Sequence, residues 1–191
     1  PSCLALFSLA KIIFCSSVSV YEKTNKVIRE SSPPSPQDAY GISKLWGELM
    51  VKSHNKFSIV RISSIYGENM NPKTFLPRVI KDALNKREIK IFGNGDRKQN
   101  YISVFDVVNY LITSSKSNIQ NGIFLAVSSK SISNRKVAEG IKNILKDINI
   151  VFEGFDNSNS YIYNNEFSKK ELNINSELDF KKGLIELINE Q

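Results

Sequence analysis

The stretch AYGISK, at residues 39–44, places a phenol and an ammonium four positions apart. In an α-helix, residues at this spacing lie one turn apart on the same face, so Tyr40 and Lys44 would be neighbours. A cation within about 4–6 Å of a phenol favours the phenolate, which can accept a proton. The spacing therefore predicts a proton-transfer pair, although two exposed side chains on a helix give the same pattern.

The residues that follow predict that this segment is an amphipathic helix beginning near Asp38. Apolar side chains recur at the spacing of one helical face, namely Ile42, Leu45, Trp46, Leu49 and Met50. An apolar stripe of this kind is buried against the rest of the protein or against another subunit. The Trp46/Met50 stripe predicts a homodimer formed through this helix.

Apolar runs on either side of the helix predict strands of a parallel sheet. In the run 4–15, the start is predicted as the end of a helix, and Lys11–Cys15 as a strand covered on both faces, with Cys15 a small buried hydrophobe. Residues 57–62 (FSIVRI) predict the next strand. Strand, loop, helix and strand form a βαβ unit, so the predicted fold class is α/β with part of a Rossmann-like doubly wound parallel sheet.

Both predicted strands run into small hydroxyl side chains. Ser16 and Ser17 follow the first strand, and Ser63 and Ser64 follow the second. The carboxyl ends of parallel strands meet at one edge, where α/β sheets bind ligands. These serines therefore predict a site beside Tyr40, while an ordinary strand-to-loop transition is also polar.

Composition limits the classes of function. Of 191 residues, 41% are hydrophobic and 24% charged, as in a folded globular protein. The net charge of +7 comes from scattered residues without a Lys/Arg block, so no nucleic-acid partner is expected. Two cysteines form neither a metal motif nor a disulfide scaffold, which indicates a reducing compartment, the cytoplasm. No metal is expected, because the cysteines lack a metal-binding spacing. The apolar run 4–15 is too short to span a bilayer, so no membrane association is expected either.

The remaining chain predicts alternating helices and strands, with 22–38 and 153–160 as loops. Strands are predicted at 88–92, 97–104, 122–127 and 149–152, and helices at 74–86, 106–115, 134–146, 166–172 and 179–189. Arg97 and Gln99 give the segment after the 93–96 turn a cation and an amide.

Five ordered landmarks resemble the extended short-chain dehydrogenase/reductase family, in its nucleotide-sugar epimerase/dehydratase branch. They are the strand end at 12–21, the Tyr-x-x-x-Lys pair, and the segments 61–67, 93–108 and 122–133. The resemblance covers about residues 11–188. It implies an NAD-dependent enzyme acting on a nucleotide-diphosphate sugar, with NADP left open.

The resemblance also implies roles for particular residues. Tyr40 would exchange a proton with a sugar hydroxyl, Ser17 would hydrogen-bond the same oxygen, and Lys44 would hold the nicotinamide ribose. Tyr40 and Ser16 would also contact the cofactor.

Substrate contacts are implied for Ser17, Ser64, Arg97 and Gln99. Ser64 and Gln99 stand where relatives often carry Asn and Arg, so Arg97 could supply the cation for a diphosphate.

The sequence departs from the family in lacking its Gly-x-x-Gly-x-x-Gly phosphate loop. We therefore expect that this chain lacks the first mononucleotide-binding half of the family's fold. On its own, the chain is expected to bind NAD weakly or not at all. Residues 1–70 would be the remnant of the NAD-binding domain. Residues 71–191 would be mainly substrate-binding, with about 97–127 returning to the Rossmann sheet.

The residues after Ser17 favour one reaction. Dehydratases of this branch carry an acidic pair there, but Val18 and Ser19 follow here. A 3,5-epimerase-reductase would use a Cys and a His, and His54 lies on the wrong element. The reaction that remains is 4-epimerisation of the sugar. A nucleotide-sugar 4-keto reductase or dehydrogenase needs the same catalytic residues and is an alternative. A non-catalytic fragment is a further alternative.

Overall fold

Three parallel strands form the central sheet of the computed structural model, which describes residues 10–22, 24 and 26–190. They are β1 (Ile12–Ser17), β3 (Phe57–Ile62) and β8 (Asn121–Ala126), in the order β1-β3-β8. Every residue of β3 is buried. All three strands point the same way, so their carboxyl ends lie at one edge of the sheet.

Two helices pack on opposite faces of this sheet. Alternation along β1 turns Phe14 toward α1 (Ala39–Lys52), whereas Ile13 packs with the core beneath α3 (Val104–Lys116). The α1 helix begins at Ala39 because the Asp38 side chain accepts a hydrogen bond from the Gly41 N–H.

A second lobe follows β3 in the chain. Its main strands, β5 (Glu88–Phe92) and β10 (Asn149–Glu153), are parallel partners. Its helices are α2 (Phe75–Lys86), α4 (Asn134–Leu145) and α6 (Phe180–Asn189). Residues of these elements form the largest hydrophobic cluster, including Leu76, Val79, Ile80, Ile89, Ile91, Val137, Ile141 and Leu184.

Short strand pairs join the two lobes. In the first two pairs, β2 (Val27–Ile28) is parallel to β11 (Ile162–Tyr163), and β4 (Ser64–Tyr66) is parallel to β7 (Tyr101–Ser103). In the third, β6 (Lys98–Gln99) is antiparallel to β9 (Ile132–Ser133). A 3-10 turn at Val18–Val20 follows β1, and α5 (Glu166–Glu171) follows β11.

The α/β class and the parallel sheet predicted from the sequence are confirmed, and most element bounds agree within two residues. The strand predicted at 97–104 is instead β6 and β7, separated at Asn100, whose side chain bonds to neighbouring loops. Strands β2, β4, β9 and β11 were missed because each has only two or three residues. The helix end predicted within 4–9 lies outside the described residues.

The prediction that Cys15 is buried is wrong. Its side chain is exposed because, in the part of the chain described, β1 is the outer strand of the sheet and nothing covers its free side. The strand β8 lies in the same sheet as β1, although it comes after residue 70 in the chain. The division into two domains near residue 70 stays a prediction. Across the described residues, no helix combines the length and apolarity needed to cross a membrane.

Candidate active site

The first turn of α1 packs directly onto the end of β1. A Cβ atom at Gly41 would lie 2.2 Å from the Ser19 carbonyl oxygen and 2.9 Å from the Pro36 Cβ. Only glycine permits this approach without a shift of the backbone. The contact places the residues that flank Tyr40 beside those that follow Ser17.

The Ser17 side chain is held by the turn that it caps. Its Oγ accepts a hydrogen bond from the Ser19 N–H at 3.1 Å and donates to the Ser19 Oγ at 3.2 Å. Ser17 is buried at the strand end. Its hydrogen-bond partner Ser19 lines a cavity that is described below.

Tyr40 and Lys44 lie on one face of α1, as their spacing predicts. The Lys44 Nζ is 5.7 Å from the Tyr40 ring centroid and donates to the Cys15 carbonyl oxygen of β1 at 3.0 Å. Tyr40 is 55% exposed, and its hydroxyl bonds to no described residue. The lysine is thus fixed over the sheet edge while the phenol is open to a ligand.

A buried ion pair fixes α1 to the sheet. The Arg61 Nε and Nη2 donate to the two carboxylate oxygens of Glu48 at 2.9 and 2.7 Å, and neither side chain is more than 2% exposed. The Ser16 Oγ donates to Glu48 at 2.6 Å, and the Arg61 Nη1 donates to the Tyr21 hydroxyl at 2.7 Å. Burial opposes the charge of Arg61, but the interactions with Glu48 and Tyr21 together outweigh it and raise the Arg61 pKa.

Sequence reasoning missed this network. An arginine inside the apolar strand FSIVRI was the available signal, because a buried cation requires a partner. The Ser16 hydroxyl, which the resemblance assigns to the cofactor, donates to Glu48, and that assignment stays a prediction.

A cavity of about 160 Å³ opens beside the carboxyl edge of the sheet, and we call it the small pocket. Its lining residues are Val18, Ser19, Tyr21, Gln37, Asp38, Ser63, Ser64, Arg97, Gln99, Asn100, Tyr161 and Tyr163. The predicted substrate residues Ser64, Arg97 and Gln99 are thus brought together. Ser17 and Tyr40 do not line it, but lie two residues from Ser19 and Asp38.

A larger cleft of about 780 Å³ lies next to it, and we call it the large cleft. It is lined by Phe75, Arg78, Phe92, Arg97, Asn134, Phe155, Asp156, Asn157, Ser158, Asn159 and Tyr161. Arg97 and Tyr161 line both cavities. The buried Arg97 Nε has no hydrogen-bond partner among the described residues. A guanidinium with an unused donor therefore lies where the two cavities meet.

Charges on both sides of the small pocket act on Tyr161. Burial raises the pKa of its hydroxyl, Arg97 lowers that pKa and Asp38 raises it. The Tyr161 phenol therefore lies within the electrostatic reach of both charged groups.

Amide side chains hold the wall of the small pocket. The Asn100 Oδ1 accepts from the Ser63 Oγ at 2.8 Å and the Ser128 N–H at 2.9 Å, while its Nδ2 donates to the Ser128 carbonyl at 2.8 Å. Gln99 donates through Nε2 to the Asn134 Oδ1 at 2.9 Å. Asn100 was missed because a buried amide has no periodic sequence pattern.

A parallel sheet with a Tyr-x-x-x-Lys helix beside a serine strand end defines the class of Rossmann-like α/β proteins that the sequence resembles. Residues 3–125 match the model of the NAD dependent epimerase/dehydratase family, so the chain belongs to that family of enzymes.

Similar proteins carry out more than one reaction. A putative UDP-glucose 4-epimerase of Methanocaldococcus jannaschii is 32% identical over 131 residues, covering 60% of this chain and 42% of that protein. The dTDP-4-dehydro-6-deoxyglucose reductase of Escherichia coli is 32% identical over 141 residues, covering 69% and 45%. The chain therefore spans less than half the length of either relative.

The fold agrees with solved structures. A UDP-N-acetylglucosamine 4-epimerase from Methanobrevibacter ruminantium M1, solved with UDP-N-acetylmuramic acid, superposes with a TM-score of 0.85 at 22% identity. The superposition covers 94% of this chain and 62% of that one. At this identity the likeness supports the fold.

Proposed function

We propose that the chain carries the proton-transfer residues and the substrate site of an NAD-dependent nucleotide-sugar 4-epimerase. The observation that carries the proposal is the position of Arg97 between the small pocket and the large cleft. A nucleotide sugar has the same order of parts: a polar sugar, an anionic diphosphate and a nucleoside.

In this proposal the sugar occupies the small pocket and the diphosphate binds Arg97. The Arg97 guanidinium offers charge-assisted hydrogen bonds to phosphate oxygens. The nucleoside occupies the large cleft, where Phe75, Phe92 and Phe155 provide aromatic surface for a base.

The proton chemistry belongs to Ser17 and Tyr40. Tyr40 accepts the hydroxyl proton of the sugar carbon C4 and later returns it, and Ser17 hydrogen-bonds the same oxygen. The Ser17 hydroxyl is already oriented by Ser19, which reduces the entropy lost when the substrate is bound.

The residues present fit one end of NAD. The exposed Tyr40 hydroxyl and the Lys44 ammonium beside it suit the hydroxyls of the nicotinamide ribose, and these two residues would hold it. When bound, NAD supplies reversible hydride acceptance. The 191 residues contain no Gly-x-x-Gly-x-x-Gly to hold its pyrophosphate.

The small pocket supports epimerisation over dehydration. Val18 and Ser19 border it where a dehydratase would need an acid and a base to eliminate water. Neither side chain has a carboxyl group that could act as a general acid or base. Ser17 and Tyr40 therefore exchange a single proton with the sugar hydroxyl.

Binding of UDP-glucose tests the substrate site. Saturation-transfer NMR with the 191-residue chain should detect protons of both the sugar and the base. Arg97→Gln should weaken binding about tenfold or more, because a charge-assisted contact is lost. Arg87→Gln is the matched control, since Arg87 is exposed at the end of α2 and lines neither cavity. Absence of saturation transfer would contradict the proposal.

Product identity tests the reaction. With millimolar NAD and UDP-glucose, an epimerase yields the anomeric proton resonance of UDP-galactose, and Tyr40→Phe should remove it. Consumption of NADH with a 4-keto nucleotide sugar, without epimerisation, would instead favour the reductase.

We further propose a homodimer formed through α1, because its side chains Ile42, Trp46, Leu49 and Met50 are all more than half exposed. A cytoplasmic location is also proposed, from the sparse use of cysteine.

A further inference from the structure

The small pocket is electrostatically polarised. Of the described residues that line it, Asp38 is the one acid and Arg97 the one base. Arg97 also borders the large cleft, whereas Asp38 lies at the first turn of α1, two residues before Tyr40. The pocket therefore has a positive side toward the large cleft and a negative side toward the proton-transfer residues.

The Asp38 carboxylate keeps acceptor capacity for a ligand. One oxygen, Oδ1, accepts from the Gly41 N–H at 2.7 Å. The other accepts no hydrogen bond from a described residue, and no described cation lies within 4.0 Å of the group. An ionised carboxylate has about four acceptor sites, so the cap leaves most of them unused.

The position of Asp38 in the small pocket can be compared with the layout of a hexose. The diphosphate is attached at C1, across the ring from C4, and C6 is attached to C5, the neighbour of C4. In a binding mode with the diphosphate at Arg97 and C4 near Ser17 and Tyr40, the C6 substituent on C5 would lie beside Asp38, which lines the pocket two residues before Tyr40. Gly41 packs on the Ser19 carbonyl and the Ser19 hydroxyl bonds to Ser17, so the first turn of α1 and the Ser17 strand end adjoin the part of the pocket that Ser19 and Asp38 line.

We infer that Asp38 determines sugar specificity: the site takes nucleoside-diphosphate hexoses with a neutral C6 hydroxymethyl group and rejects uronates. This inference rests on the proposed function. A C6 hydroxyl donates to the free Asp38 oxygen, whereas a C6 carboxylate would face a like charge and offer no donor. Because Asp38 is exposed, the discrimination is moderate and weakens as salt is added.

Binding competition between UDP-glucose and UDP-glucuronate tests the inference on the 191-residue chain. We expect the wild type to bind UDP-glucose about tenfold more tightly. Asp38→Asn should bring the two affinities within about twofold, chiefly by improving the binding of UDP-glucuronate. Asparagine caps a helix as well as aspartate, so the variant removes charge and retains the Gly41 hydrogen bond.

Asp156→Asn is the matched control. Asp156 lines the large cleft, and its Oδ1 accepts from the Ser158 N–H at 2.9 Å, a bond that asparagine can also accept. This variant should leave the ratio of the two affinities unchanged. Asp38→Ser, a second capping variant, should reproduce the effect of Asp38→Asn.

The two levels of the proposal fail differently. If neither nucleotide sugar binds the wild-type chain, the proposed function itself is wrong. If UDP-glucose binds but the affinity ratio is near one, or is the same in wild type and Asp38→Asn, the role of Asp38 is overturned while the nucleotide-sugar site stands.

Discussion

At the scale of single residues, a buried ion pair and its hydrogen-bond partners order the end of β1. Arg61 uses Nε, Nη1 and Nη2 to bind Glu48 and Tyr21, and its guanidinium lies 4.7 Å from the Tyr21 ring centroid. Tyr21 in turn donates to the Arg29 carbonyl at 3.0 Å. One residue of β3 therefore orders α1 and the loop after β1.

Glu48→Gln should lower the free energy of unfolding by about 3–5 kcal/mol, because it leaves the buried Arg61 charge uncompensated. Urea unfolding followed by circular dichroism measures the loss. Glu139→Gln, an exposed change on α4, should stay within about 0.5 kcal/mol of the wild type.

A double variant separates charge burial from packing. Glu48→Leu combined with Arg61→Met should be more stable than either single variant, because no charge is then left buried alone. Equal stability of Glu48→Gln and wild type would show that the ion pair does not hold α1 in place.

At the scale of elements, close contacts at the ends of helices and strands set the geometry of the site. The α1 helix contacts β1 and the turn after it through glycines, and Gly47 packs against the Phe14 ring. These contacts bring a helix backbone close enough for Lys44 to reach the Cys15 carbonyl.

Gly41→Ala should destabilise the protein by about 1–3 kcal/mol, since its Cβ would overlap the Ser19 carbonyl. The higher helix propensity of alanine, about 1 kcal/mol, would not offset this clash. Thermal unfolding compares it with Gly140→Ala, whose Cβ would lie 3.2 Å from a terminal methyl of Leu184 rather than from backbone. We expect the control to be neutral or slightly stabilising, and equal effects of the two changes would contradict the packing argument.

The segment before α6 is joined to the loop after β8 by Glu177. Burial opposes ionisation of this carboxyl, but hydrogen bonds from Lys169 and Ser129, with the charge of Lys169, outweigh it and hold the Glu177 pKa below its usual value of 4.5. A lowered carboxyl pKa stabilises the fold above the usual pKa, and this stability is lost as pH falls through the lowered value.

Glu177→Gln should therefore cost about 1–2 kcal/mol at pH 7, a cost that shrinks as pH falls below 4.5. Urea unfolding between pH 3 and pH 8 measures the difference. Glu153→Gln breaks an exposed 3.7 Å pair with Lys90 and should have little effect. A Glu177→Gln cost that stayed constant down to pH 3 would be inconsistent with this assignment.

At the scale of the whole molecule, apolar surface remains on α1. Trp46 is 68% exposed, and its neighbours Ile42, Leu49 and Met50 form the rest of the stripe. A helix with one such face can pack against its own copy across a two-fold axis, which buries the same residues on both subunits.

Light scattering should give twice the chain mass of 21.6 kDa for the wild type. Trp46→Glu should shift the protein to the monomer, because it places a charge in the centre of the interface. Phe105→Glu is the matched control, since Phe105 is 72% exposed on α3, across the sheet. A monomeric wild type, or a dimer unaffected by Trp46→Glu, would contradict the proposed interface.

The sequence by itself determined the main helices and sheet strands and the chemistry of the residues at their ends. Apolar periodicity located α1 and β3, hydroxyls marked the strand ends, and the spacing of Tyr40 and Lys44 predicted their common face. These features are local, because helix and strand geometry fixes which side chains of one segment are neighbours.

Only the tertiary structure decided which distant segments meet. The pairing of Glu48 with Arg61, the exposure of Cys15 and the position of Arg97 between two cavities depend on strand order and helix packing. The sequence left the substrate role of Arg97 open, and it gave no sign that Asp38 would face it across a pocket. Such contacts join residues far apart in the chain, so their geometry follows from packing and burial rather than from spacing along the sequence.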